Sequence, residues 1–88
     1  MSGETSVSIF GQSYVVKGDD ARHVRAVAAY VDQKMQELLA GKPGGLTIRG
    51  AVLTALNLAD ELFRVRQEME QLKQEVESRS LALLKQLD

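Results

Sequence analysis

The stretch LFRVRQEMEQLKQEVESRSLAL, Leu62 to Leu83, decides how the rest of the chain is to be read. Placing Leu62 at heptad position a puts Val65 at d, Met69 at a, Leu72 at d, Val76 at a, Arg79 at d and Leu83 at a. The apolar stripe is narrow. A narrow a/d seam is what a helix presents to another helix, whereas packing on a globular core needs a wider apolar face. In a parallel pair each g residue meets the next e residue of its partner, and this register sets Glu61 against Arg66 and Glu68 against Lys73. The pattern predicts parallel self-association through Leu62, Val65, Met69, Leu72, Val76 and Leu83. At Arg79 the strict heptad falters, and spacings of four through Ser80 to Leu83, Leu84 and Leu87 fit equally well, as in a stutter that locally unwinds a supercoil. The leucines at 81, 83, 84 and 87 then form either a second seam, on which two dimers meet as a tetramer, or a frayed terminal turn.

Moving towards the N-terminus, Gly50 is the last glycine and Pro43 the single proline, so the spacing predicts one helix from Ile48 onward. At 1.5 Å per residue, roughly 40 residues reach about 60 Å, a length that no small core can bury. Its second half must find a partner elsewhere. Thr47 is the expected N-cap, although Gly50 stands where a capping box would carry Glu or Gln. Pro43-Gly44-Gly45 forms a loop, and Gly41 ends a first helix whose apolar positions Val24, Val27, Ala28, Val31, Met35, Leu38 and Leu39 make one stripe. Arg22, Arg25, Asp32 and Gln36 are expected on its opposite face, and Gly18-Asp19-Asp20 supplies its capping aspartate. Before it, Thr5 to Lys17 reads as a hairpin turning at Gly11-Gln12 in a type II′ turn, which would pair Ile9 with Tyr14 and Val7 with Val16. Ser8 and Ser13 would then face away from those four apolar side chains. A two-stranded hairpin is marginal in water, so the first helix is its expected cover. The fold class is α+β: a head over residues 1–59, with hairpin, helix and the root of the long helix, and a coiled-coil tail over residues 60–88.

The 88 residues allow one small core and exclude a two-domain enzyme. Hydrophobic residues make up 44%, too many for a disordered chain. With 11 basic against 12 acidic residues, the net charge of −1 gives no strong field for gripping nucleic acid, and no basic recognition helix is evident. Cysteine is absent, which excludes disulfides and thiolate metal sites and fits a reducing cytoplasm. The start of the chain, Met1 to Ser6, is polar, and no apolar run approaches the roughly 20 residues that span a bilayer, so neither secretion by a signal peptide nor membrane insertion is expected. His23 is the one histidine, too few for a triad or a multi-histidine site. Asp19, Asp20 and His23 are better explained by helix capping than by a metal corner. The segment Gly41 to Thr47 has the residue types of a phosphate loop in the wrong order and without a preceding strand. No cofactor and no metal are expected. Residues 1–59 carry six basic and five acidic residues, and the remainder five basic and seven acidic, so a slightly positive head could dock on an acidic protein surface.

Val7-Ser8-Ile9-Phe10-Gly11-Gln12-Ser13-Tyr14, then Asp32-Gln33-Lys34-Met35, then Ala51-Val52-Leu53-Thr54-Ala55-Leu56-Asn57-Leu58-Ala59-Asp60-Glu61-Leu62, together resemble the ZapA family of bacterial cell-division proteins. The match spans most of the chain and its combined motifs are far more specific than any one of them. The resemblance implies a small α+β head on a long C-terminal helix, a dimer through that helix and in some members a tetramer of two dimers. It further implies binding to FtsZ, the tubulin-like GTPase of the mid-cell division ring, and bundling of its protofilaments, with no enzymatic activity. Family members use basic residues in the hairpin turn and in the loop before the long helix. Here the turn carries Gln12, which cannot make that contact as a charge, and Lys42 is the nearest loop equivalent, with Arg49 just beyond. Gln12, Arg22, Arg25, Lys42 and Arg49 are therefore the candidate partner-binding residues. A cytoplasmic coiled-coil adaptor for another protein has the same architecture and is the competing reading.

Overall fold

The computed structural model describes residues 3–41 and 46–87. Strand β1 (Gly3–Ile9) pairs antiparallel with β2 (Gln12–Gly18), followed by helix α1 (Ala21–Leu39) and helix α2 (Ile48–Gln86). This is the expected α+β class. The chain divides into two compact units, Met1–Leu56 and Asn57–Asp88.

The hairpin turn corrects the sequence reading. The register sets Ile9 opposite Gln12, Val7 opposite Tyr14 and Thr5 opposite Val16, so the two turn residues are Phe10 and Gly11 rather than Gly11 and Gln12. Both have positive φ, +50° and +79°, the signature of a type I′ turn. Moving the turn back by one residue changes every cross-strand partner but keeps each side chain on its face, because the slip along β2 is two residues. Val7, Ile9, Tyr14 and Val16 still share a face, and Ser8 now sits opposite Ser13.

Phe10 takes a conformation that costs a residue with a Cβ about 1–2 kcal/mol. What holds it there is tertiary. Its backbone N–H donates to Asp32 Oδ1 at 2.6 Å, across 22 residues of sequence, and a hydrogen bond to a charged acceptor contributes about 1.5–3 kcal/mol, enough to offset that cost. Asp32→Ala is expected to lower head stability by about 2 kcal/mol. Thermal melts at matched protein concentration, followed by circular dichroism, check this, and an unchanged midpoint would remove the bond from the account.

Asp20 caps α1, its carboxylate accepting from the N–H groups of Arg22 and His23 at 3.1 and 3.3 Å. At the other end Ala40 is the C-cap and Gly41 follows in the left-handed region. The helix lies mainly over β1. Thr5 and Val7 are buried beneath it together with Ala28, Met35 and Leu39. Two expectations about its faces are corrected by this placement. Val27, assigned to the covered stripe, stays 48% exposed, and Asp32, assigned to the outer face, turns inward to the hairpin turn. Helix α1 is thus rolled so that the Arg25–Asp32 edge runs along β1, leaving Tyr14 and Val16 of β2 only partly covered.

Thr47 is the cap of α2 as expected, its hydroxyl accepting from the Gly50 N–H at 3.0 Å. Gly50, in the capping-box position, has a different use. A Cβ there would lie 3.0 Å from Leu39 Cδ1, so the missing side chain leaves room for the end of the Leu39 side chain against the first turn of α2. Thr54, one turn on, is buried and returns its hydroxyl proton to the Gly50 carbonyl at 2.9 Å.

Candidate partner-binding and self-association surfaces

In the unit Asn57–Asp88 the helix is regular and every described side chain beyond Glu61 is exposed. Leu62, Val65, Met69, Leu72, Val76 and Leu83, all chosen from the heptad, are between 48% and 65% exposed. Met69, Leu72 and Val76 form one apolar trough along the helix, bordered by Lys73 and Glu77. An apolar floor with charged borders is the form of a coiled-coil a/d seam with its flanking positions. Around it Arg64 is held by Asp60 at 2.8 Å, an exposed pair one helical turn apart, and Arg66 lies over the Phe63 ring at 6.0 Å. Glu68 and Lys73, an expected g–e pair between chains, make no ion pair within this chain among the described residues. Leu81, Leu83, Leu84 and Leu87 are exposed as well.

The candidate docking residues are distributed over the unit Met1–Leu56. Gln12 opens β2 beside the turn, Arg22 lies in the first turn of α1 and Arg49 in the first turn of α2, all exposed. Lys42 falls outside the described residues. Arg25, itself exposed, lines a shallow hollow with Ser6 and Ser8 of β1 and with Ala28, Ala29 and Asp32 of α1. The serines were not singled out from sequence. Asp32 lies two turns after Arg25 on the same helical face, so a reading that placed one of them at the hairpin would have placed the other there too. Arg22, Arg25 and Arg49 make no ion pair among the described residues, and their guanidinium groups are available to a partner.

Among the described residues no three histidine or acidic side chains converge on a point where an ion could be held, and no helix is long and apolar enough to cross a membrane. The surfaces offer contact: an uncovered apolar seam and scattered, unpaired arginines.

Comparison with known proteins gives the same picture a lineage. The family model described as "Cell division protein ZapA" matches residues 5–87. The "Cell division protein ZapA" of Bacillus thuringiensis (strain Al Hakam) is 43% identical over 77 residues, covering 86% of each chain. That of Bacillus licheniformis is 35% identical, covering 86% of this chain and 91% of the relative. Among solved structures, the "ZapA mutant dimer from Geobacillus stearothermophilus" superposes with a TM-score of 0.64 at 35% identity, covering 88% of this chain and 91% of that one. A hairpin, a helix and a long seam-bearing helix in this order, with a family match running nearly from end to end, place the chain in the ZapA family of cell-division proteins.

Proposed function

We propose that this chain binds FtsZ in the cytoplasm, at the mid-cell division ring, and bundles its protofilaments without catalysing a reaction. Heads formed by residues 1–59 make the contacts, and tails formed by residues 60–88 hold two heads together in a parallel coiled-coil homodimer, or four in a tetramer. The observation that carries this reading is the seam from Leu62 to Leu83, a row of half-exposed apolar side chains on a 39-residue helix. The Geobacillus stearothermophilus relative, solved as a dimer, supports it. Apolar burial drives the pairing, since each covered Leu, Val or Met contributes about 1.5–3 kcal/mol. Flanking ion pairs, at about 0.2–1 kcal/mol each, set the register.

Docking rests on the basic residues of the head, Lys42 and Arg49 first, with Gln12, Arg22 and Arg25 around them. Lys42→Glu combined with Arg49→Glu is expected to weaken co-pelleting with FtsZ filaments about tenfold, about 1.4 kcal/mol, while light scattering shows an unchanged oligomer. Undiminished pelleting would move the contact to Arg22 and Arg25. No pelleting by the unaltered protein would sink the FtsZ reading itself.

A further inference from the structure

The sheet of the unit Met1–Leu56 has two strands, so among the described residues β1 is paired on one side only. The register shows which main-chain groups that leaves open. In a hairpin with a two-residue turn the residues flanking the turn, here Ile9 and Gln12, exchange both hydrogen bonds, and bonded and open pairs then alternate along the strands. Val7 and Thr5 therefore bond to β2, while Ser6 and Ser8 direct their N–H and C=O groups to the free edge. Among the described residues neither serine makes a hydrogen bond outside the sheet.

That edge borders the hollow it shares with Arg25, Ala28, Ala29 and Asp32 of α1. Thr5 and Val7 are buried under the helix, so by alternation the side chains of Glu4, Ser6 and Ser8 lie on the opposite face, and what the two serines bring to the hollow is main chain. The helix opposes them with two alanines, which leaves space for a further strand at the usual spacing of about 4.8 Å. The two ends of the hollow differ in charge. Asp32 Oδ1 already accepts the Phe10 N–H at the turn, whereas Arg25, two helical turns earlier and so at the other end, makes no ion pair among the described residues. The edge also lacks the usual guards against pairing, since β1 has no proline, no lysine and no bulge in its register.

We infer that the free edge of β1 is a docking strip for an extended, acidic segment of a partner protein, which adds as an antiparallel third strand and sets a carboxylate against Arg25. Four main-chain hydrogen bonds close, two at Ser6 and two at Ser8, and antiparallel pairing is the more stable arrangement per residue. Main-chain pairing holds the segment and the charge orients it. Because β1 runs from the Arg25 end of the hollow towards the Asp32 end, the C-terminal half of the added strand lies beside Arg25. An acid there meets an unpaired cation, whereas a base would face a guanidinium of like charge. This contact is separate from the one proposed above through Lys42 and Arg49, and it holds whichever protein supplies the segment.

The test titrates isotope-labelled full-length protein, followed by NMR, with a blocked octapeptide of alternating threonine and valine that carries two aspartates near its C-terminus. At millimolar peptide the amide resonances of Ser6 and Ser8 are expected to shift and their hydrogen exchange to slow. Methylating one alternate set of peptide nitrogens is expected to abolish binding and methylating the other set to leave it intact, as only one set faces β1. Arg25→Glu is expected to weaken binding of the aspartate peptide about tenfold and to admit a peptide with lysines in place of the aspartates. Unmoved Ser6 and Ser8 resonances, equal binding by the two methylated peptides, or equal binding by the aspartate and lysine peptides would overturn the proposal. So would Ser6 and Ser8 amides already protected from exchange without peptide, which would give the edge to a second copy of the chain. None of these outcomes bears on FtsZ, whose co-pelleting tests the reading above on its own.

Discussion

Met69→Glu with Leu72→Glu is expected to convert the assembly into single chains in sedimentation equilibrium. Both side chains lie in the apolar trough, 65% and 61% exposed in the isolated chain. In a homodimer the double variant removes four apolar side chains, two from each chain, at about 2 kcal/mol each, so about 8 kcal/mol is lost, roughly a millionfold in dissociation constant. Like charges facing each other across the seam add to that. Because these residues are exposed and lie in the unit Asn57–Asp88, the head should keep its melting behaviour. An assembly of unchanged mass would show that the chains join somewhere other than this seam.

The second large effect is a consequence of the first and concerns the filament. A scaffold with two heads turns its second contact into an intramolecular event, so avidity exceeds single-site affinity by about 10²–10⁴. Under the proposed function the same double variant is therefore expected to lose FtsZ bundling, seen by electron microscopy or low-speed pelleting, while high-speed pelleting still records weak single-head binding. A truncation ending at Ala59 should behave likewise. Bundles formed by a demonstrably monomeric variant would defeat the cross-linking mechanism, because one head can occupy only one filament site.

Much of the architecture is legible in the sequence because it is written in periodicity. The absence of Pro and Gly after Gly50, the capping aspartate before α1 and the Thr47 cap each report a local physical requirement, and each is found where the pattern placed it, while the a/d residues from Leu62 to Leu83 lie along that helix as exposed side chains. The hairpin turn departs from its local pattern for a reason that is not local. Gly11-Gln12 and Phe10-Gly11 are both available as two-residue turns, and local preference favours the one that keeps Phe10 out of the left-handed region. The hydrogen bond from Phe10 to Asp32 reverses that preference, and 22 residues separate the two. The roll of α1 is hidden for the same cause, since an apolar stripe specifies which face is buried only to within the width of the stripe. The docking surface is the least legible part. Arg22, Arg25 and Arg49 carry no pattern that distinguishes a contact from ordinary solvation, and only the fold gathers Arg25 with Ser6 and Ser8.

The tether from Asp32 to the turn also supplies a natural reporter. An amide at the apex of a two-residue hairpin ordinarily trades its proton for solvent deuterium quickly, because water reaches it freely. The Phe10 amide instead donates to a carboxylate on α1, so its isotope exchange waits for that hydrogen bond to open. One backbone resonance in a spectrum thus reads the clasp between α1 and the hairpin, and whatever ligand tightens that clasp will slow the signal first.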